Sequence, residues 1–365
     1  MSGKQSTFKS FPFCATISMA NTNSPSQGNW EEDELENPIG HTKWVLNSLT
    51  SVLTVRCAVE ITEGQDAPWH YFHPVIAFVV LLDGIVSIPS RAFRSCLMLR
   101  SVQFPSSVTS IGETAFAWCE SLEETAIPES VEFIEKSAFY GCRFSSIKIP
   151  RSVASFGGNP FAECYELEVI DVSENPNFVF IDGVLMDREM TQIICCCHSK
   201  SGDYSIPNTI TTICAKAFQQ CKLHSITIPG SVREIGDEAF FCCYGLTSVV
   251  IPDSVTSIGK EAFLGCDRLE SVKLSDSITV IRYGTFFGCR RLSSITIPNS
   301  VRKICKEAFN SCERLTSITI PDSIEEIERD AFYCCHGLTS IVISQDTGPL
   351  SKKKNPWYRR LFKPK

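Results

Sequence analysis

The sequence predicts a solenoid, a curved stack of coils of about 23 residues with a parallel β-sheet on the concave side and short strands or helical turns on the other. Three observations predict it. Aligning the 365 residues on Ala-Phe-x-x-Cys places Phe at 93, 116, 139, 161, 218, 240, 263, 286, 309 and 332, and from Phe240 onward every step is 23 residues. Inside each unit Ser-Ile-Thr-Ile alternates with period two, so Ile318 and Ile320 share one side of a strand and Ser317 and Thr319 the other. Finally, 43% hydrophobic against 21% charged residues supplies a buried core over most of the chain.

Each element of the unit has a local cause. Proline at 128, 150, 229, 252, 298 and 321 lacks an N–H and marks where ladder bonding of the alternating strand ends. A second apolar pair, Val255 with Ile258 or Val301 with Ile304, then crosses the coil before Ala-Phe begins a turn. A single coil exposes both of its faces and cannot stand alone; stacking buries them and pairs the strands.

Along the chain, residues 1–45 are rich in Ser, Asn and Thr and then acidic at Glu31-Glu32-Asp33-Glu34, and are expected to lack a fixed structure. Residues 46–84 form an amino-terminal capping region, in which Trp69-His70-Tyr71-Phe72-His73 reads as aromatic cover for the first coil rather than as a pair of metal ligands. A first repeat arm of four coils follows over 85–172 and a second arm of six over 207–345. The 57-residue gap between Phe161 and Phe218 holds an irregular insertion, 173–206, with Asp182-Gly183 as a hairpin turn between Phe178–Ile181 and Val184–Met186. Regular coils resume at Tyr204-Ser205-Ile206-Pro207. The basic segment 346–365 completes the division.

The pattern AFxxCxxLxSIxIPxSVxxI resembles that of the BspA-like leucine-rich repeat proteins over about residues 85–345, and the Asn-Pro-x-Phe and Asp-Gly-Val-Leu insertion resembles a variant unit of that family. The resemblance implies a leucine-rich repeat solenoid serving as an adhesion or interaction surface, with no common enzymatic activity and no particular ligand.

The residues themselves agree on binding rather than catalysis. There is no glycine-rich phosphate loop, no Ser, His and acid grouping stands out, and none of the six His falls in a repeated column, so no catalytic residue and no cofactor is expected. Cys195-Cys196-Cys197-His198 has the composition of a metal site, yet consecutive strand residues face opposite sides and lack the spacing of zinc pairs. The ten aligned cysteines from Cys96 to Cys335 read as a buried column of free thiols.

For partner binding, the outward strand columns are Ser at 101, 146, 225, 248, 271, 294, 317 and 340, followed by Gln103, Ala126, Lys148, Asp171, Thr227, Val250, Lys273, Thr296, Thr319 and Val342. These columns hold no Trp, Tyr or Arg, the usual interface anchors. A protein partner of unknown identity is expected there.

Residues 1–350 carry 27 basic and 41 acidic side chains, a net −14, which argues against nucleic acid as a partner of the body. The tail instead gathers Lys352, Lys353, Lys354, Arg359, Arg360, Lys363 and Lys365 around Trp357 and Tyr358. It reads as an import patch, a polybasic and aromatic membrane anchor, or a solvated end. A cytoplasmic location is expected from the weak, broken apolar stretch at the amino terminus, the absence of any Asn-x-Ser/Thr and the many free thiols; nuclear, membrane-associated and cell-surface placements stay open.

Overall fold

The computed structural model describes residues 34–36, 44–56, 67–122 and 127–343. The basic tail, with Lys352, Lys353, Lys354, Trp357, Tyr358, Arg359, Arg360, Lys363 and Lys365, lies outside the described residues, as do Ala126 and most of the amino-terminal segment. The described chain is a β-solenoid of about 11 coils, each of about 23 residues, with parallel strands.

The long strands form one side. Ser248–Val250, Ser271–Lys273, Ser294–Thr296, Ser317–Ile320 and Ser340–Ile343 join in one parallel sheet whose register sets each residue beside its own repeat: Ser271 against Ser294, Ile295 against Ile318, Thr319 against Val342. A period equal to the coil length makes that register automatic, and it carries every buried Ile onto another. Of the short strands or helical turns expected away from this sheet, the structure has short strands such as Glu234–Ile235 and Ser257–Ile258, again parallel.

Ala-Phe then sits in a turn bracketed by two left-handed residues, for example Glu307 (φ 59°) and Ser311 (φ 59°) around Phe309. Non-glycine residues in this region cost free energy. The cost is offset because the turn aims its N–H groups at the next coil: Phe309 donates to the Ala331 carbonyl and Ser311 to that of Tyr333, each at 2.8 Å. Phe rings therefore stack along the axis. In the second arm, from Phe218 to Phe332, centroids are 5.1 to 5.5 Å apart with interplanar angles of 2° to 13°.

The amino-terminal cap begins earlier than residue 46. Trp44–Asn47 and Val52–Val55 form an antiparallel hairpin, and Val52–Val55 runs parallel to Phe78–Leu81, which pairs in turn with Ser101–Gln103. Glu34–Glu36 adds a further antiparallel strand. The expectation of no fixed structure over 1–45 is thus corrected for 34–36 and 44–45, where backbone pairing to the cap overrides polar composition. Trp69 does more than cover the first coil. It heads the ring ladder, stacked on Phe93 at 5.5 Å and 17°, with its indole N–H donating to the Ala92 carbonyl (2.7 Å) and Trp44 edge-on behind it.

The ladder breaks where the period breaks. Phe178–Ile181 and Val184–Asp187 form the expected hairpin, with Asp182 (φ 51°) and Gly183 (φ 78°) both left-handed as a two-residue turn of this twist requires. Val184–Asp187 pairs antiparallel with Gln192–Cys196, which pairs parallel with Thr212–Ile213. The insertion is therefore part of the stack and separates two hydrophobic cores. Val184, Met186, Ile193 and Cys196 face the second-arm core; Leu185, Ile194, Cys195 and Cys197 face the first. Long-strand pairing resumes at Ser201, earlier than the Tyr204 read from the sequence, because Ser201–Ser205 already runs parallel to Lys222–Thr227.

Candidate functional site

The strand columns expected to meet a partner lie on the outer face of the long strands. Gln103, Lys148, Thr227, Val250, Lys273, Thr296, Thr319 and Val342 are exposed and Asp171 is half-buried. They do not form one continuous row. Asp171 pairs with Lys148 on a two-stranded sheet, Thr227 lies on another, and Gln103 belongs to the cap sheet. The structure brings together Val250, Lys273, Thr296, Thr319 and Val342 on the five-stranded sheet of the second arm. Val250 and Val342 are 59% and 52% exposed, an apolar residue at each margin of a polar strip. Lys148 is held by Glu174 (2.9 Å), whose hydrogen bond raises its pKa, while hydrogen bonds from Ser173 lower that of Asp171.

Beside this strip the structure shows a column that strand-based reading passed over. Arg268, Arg291 and Arg314 occupy the same position in three successive coils, two residues after the ladder cysteine, and all three are exposed. Neighbouring coils place them about 4.8 Å apart at the backbone. Backbone bonding holds the loops together, with Arg314 N–H on Arg290 O at 3.1 Å and Ser293 N–H on Glu270 O at 3.2 Å. Arg291 reaches Glu270 at 3.8 Å, and Arg290 lies between Asp267 (3.7 Å) and Glu313 (3.5 Å), exposed pairs of small energetic weight. Arg268 and Arg314 have no ion-pair partner among the described residues. The signal was in the sequence as Asp-Arg-Leu, Arg-Arg-Leu and Glu-Arg-Leu at 23-residue intervals, outside the alternating strand.

The cysteine column is structural. Within the column thiols donate to the carbonyl of the Phe one coil back: Cys119 to Phe93, Cys266 to Phe240, Cys289 to Phe263 and Cys312 to Phe286, at 3.1 to 3.2 Å. Every described cysteine is a free thiol. Burial pushes Cys96 and Cys142 up to about 12, so these thiols stay protonated and poorly nucleophilic.

Where the arms meet, the Cys195-Cys196-Cys197 run takes the place of Ala-Phe. Cys196 N–H donates to Ala217 O (2.7 Å), the bond a Phe makes in a regular coil, and the Cys221 thiol points at the Cys196 and Cys197 carbonyls (3.8 and 3.9 Å). Cys196 faces the second-arm core and its neighbours Cys195 and Cys197 the first, as period two requires. Across this coil the outer turns of the two arms meet directly, with Asn159 N–H on Ala215 O at 3.3 Å. Asn159 donates to Lys216 O (2.8 Å), and Glu163 accepts from Gln219 and Gln220 (3.3 and 3.0 Å), residues 56 or 57 positions away. A cavity of about 10 Å3, room for one water, lies here between Glu163, His198 and Gln219. Burial, and then the Lys222 charge, lower the His198 pKa, and its ring stands edge-on to Tyr165.

The BspA-type leucine-rich repeat model matches residues 86–183, 192–312 and 279–353, in six copies. The chain belongs to this leucine-rich repeat family. Among solved structures, a leucine-rich repeat protein from Eubacterium ventriosum is 24% identical over 89% of this chain and 99% of its own, with a TM-score of 0.68. A leucine rich cell surface protein from Faecalibacterium prausnitzii is 26% identical over 86% of this chain and 96% of its own, with a TM-score of 0.54. No curated protein sequence matches the chain. The leucine-rich repeat architecture accounts for the Phe, Cys, Leu and Ile columns through stacking, and leaves positions such as Arg291 exposed and outside the stacking columns.

Proposed function

We propose that this leucine-rich repeat chain is a non-catalytic scaffold that holds a protein partner against the second arm, across the long-strand face and the arginine-bearing loop edge beside it. The in-register Arg268, Arg291 and Arg314 carry the reading. A guanidinium binds carboxylates in a bidentate fork and is an enriched interface anchor, whereas the Ser and Thr ladders next to it supply a polar surface with little anchoring power. The partner's contact segment is acidic. Asp267, Glu270 and Glu313 flank the column and the body is acidic overall, so the arginines act at contact distance rather than by long-range steering.

The test is cross-linking with mass spectrometry on the full chain beside an Arg268→Ala, Arg291→Ala, Arg314→Ala variant. The partner is expected to cross-link to the second-arm face and to bind the variant at least ~10-fold more weakly. Undiminished binding with cross-links on the short-strand side would overturn the assignment.

Its free thiols favour a cytoplasmic placement of the scaffold. A cell-surface placement is the second reading, favoured by the likeness to the Faecalibacterium prausnitzii cell surface protein. Protease treatment of intact cells separates the two: release of second-arm peptides puts the chain outside, and their retention until lysis puts it inside.

A further inference from the structure

Taking the arginine row as a protein-binding edge, we propose that the partner held there is a second copy of this chain, docked long-strand face to long-strand face about a two-fold axis parallel to the stacking direction. The face of the second arm carries a different row along each margin. Arg268, Arg291 and Arg314 stand four residues before Val272, Ile295 and Ile318, the buried residues that align across three successive long strands. Asp276, Asn299 and Asp322 stand four residues after the same three. All six lie in turns and are exposed.

Symmetry turns these two rows into a complementary pair. A two-fold axis along the stack keeps each coil at its own level and reverses the strand direction. The arginine margin of one copy then lies on the aspartate margin of the other. Arg268 meets Asp276 and Arg314 meets Asp322, each pair formed twice, and Arg291 meets Asn299. A guanidinium on a carboxylate makes charge-assisted, often bidentate hydrogen bonds. A two-fold axis along the strands would instead set arginine on arginine, so charge selects the first arrangement. Between the margins the column of Ser271, Ser294 and Ser317 meets Lys273, Thr296 and Thr319, and no like charges oppose. Val250 and Val342, 59% and 52% exposed, meet Ser248 and Ser340 at the two ends of the strip.

Pitch and area agree. Both rows repeat at the spacing of stacked coils, about 4.8 Å, so aligning one pair aligns the next. A face five strands tall and eight residues wide between its margins measures roughly 24 Å by roughly 25 Å. Two such faces bury about 1,200 Å2 in all, the lower end for specific complexes. In the first arm the same offsets carry Arg143 with Arg151 and Glu166 with Glu174, all exposed. Like charges would face one another there, which confines the contact to the second arm.

The experiment is sedimentation velocity on the full chain over about a hundred-fold range of concentration, beside an Arg268→Asp, Arg314→Asp variant and an Asp276→Arg, Asp322→Arg variant. The unaltered chain is expected to pass from monomer to dimer as concentration rises. Each variant alone sets like charges on both margins, and its dimer dissociation constant should rise at least about ten-fold. An equimolar mixture of the two variants restores opposite charges on both margins and should recover the original affinity. Circular dichroism checks that the variants, altered only at exposed positions, keep the fold. A chain that stays monomeric throughout overturns the proposal and leaves the arginine row to a different acidic protein, which the cross-linking with the alanine variant detects. Dimers that persist in both variants, or a mixture that fails to recover, put the contact elsewhere and also overturn it.

Discussion

Replacing Phe263 by alanine tests the ring ladder where it is most complete. Phe263 is 0% exposed and lies between Phe240 (5.1 Å, 7°) and Phe286 (5.5 Å, 8°). Truncating a buried Phe to Ala costs about 3–5 kcal/mol, depending on how far the surroundings collapse. Collapse is restricted here, because the backbone of each neighbouring Phe is tied to the coil that follows it, Phe240 N–H to Ala262 O and Phe286 N–H to Ala308 O, both at 2.8 Å. Two stacked contacts are lost as well, each worth about 0.5–1.5 kcal/mol beyond burial, so the cost falls at the upper end, near 4–5 kcal/mol. Urea unfolding followed by circular dichroism measures it, with Ser271→Ala as an exposed control. In a stack held by nearest-neighbour contacts the lesion also weakens coupling between the coils on either side, so the variant should unfold in two phases. A single transition destabilised by less than about 1.5 kcal/mol would show that the rings are filler rather than the axis of the core.

Three further outcomes are expected. The Cys96, Cys142 and Cys197 thiols, pushed up to about 12 by burial, keep their protons in the folded chain while the unfolded chain loses them from about pH 9. Their contribution is therefore complete below pH 9 and is lost as pH rises toward 12, at up to about 1.4 kcal/mol per pH unit for each thiol; unfolding midpoints at pH 8, 9.5 and 10.5 measure it, and a flat profile counts against buried thiols. Iodoacetamide at pH 8 should label these cysteines no faster than the chain unfolds, as mass spectrometry can follow, and rapid native labelling would contradict the hydrogen-bonded column. Asn175, 1% exposed, donates to Pro150 O (2.6 Å) and Val153 O (3.0 Å); Asn175→Ala removes both bonds while those carbonyls keep the Val153 N–H and the Asn177 amide as donors, and should cost about 1–3 kcal/mol by urea titration; a change under about 0.5 kcal/mol would mean that water replaces the amide.

The repeat was legible because stacking is a local rule applied ten times. A 23-residue period fixes register, and alternation around Ile318 and the proline at 321 fixes strand face and strand end without knowledge of any distant contact. The hairpin at Asp182-Gly183 was legible for the same reason, since its turn chemistry is local. The Arg268, Arg291 and Arg314 column is equally present in the period, but it lies outside the alternating strand, where no two-residue alternation marks which side chains face outward.

Tertiary structure alone decided what happens where the period fails. The sequence by itself determined that Cys195, Cys196 and Cys197 alternate faces, but not that one face meets each of two cores. Nor does it show that Asn159 and Glu163 touch Lys216, Gln219 and Gln220 across 56 or 57 residues, a contact made where the insertion interrupts the period. Trp69 fell outside the Ala-Phe-x-x-Cys pattern, and only its stacking on Phe93 reveals it as the first ring of the ladder. Periodic positions repeat one local energy and can be read from the chain; a seam or an end is a single event, whose geometry depends on which distant surfaces it must close.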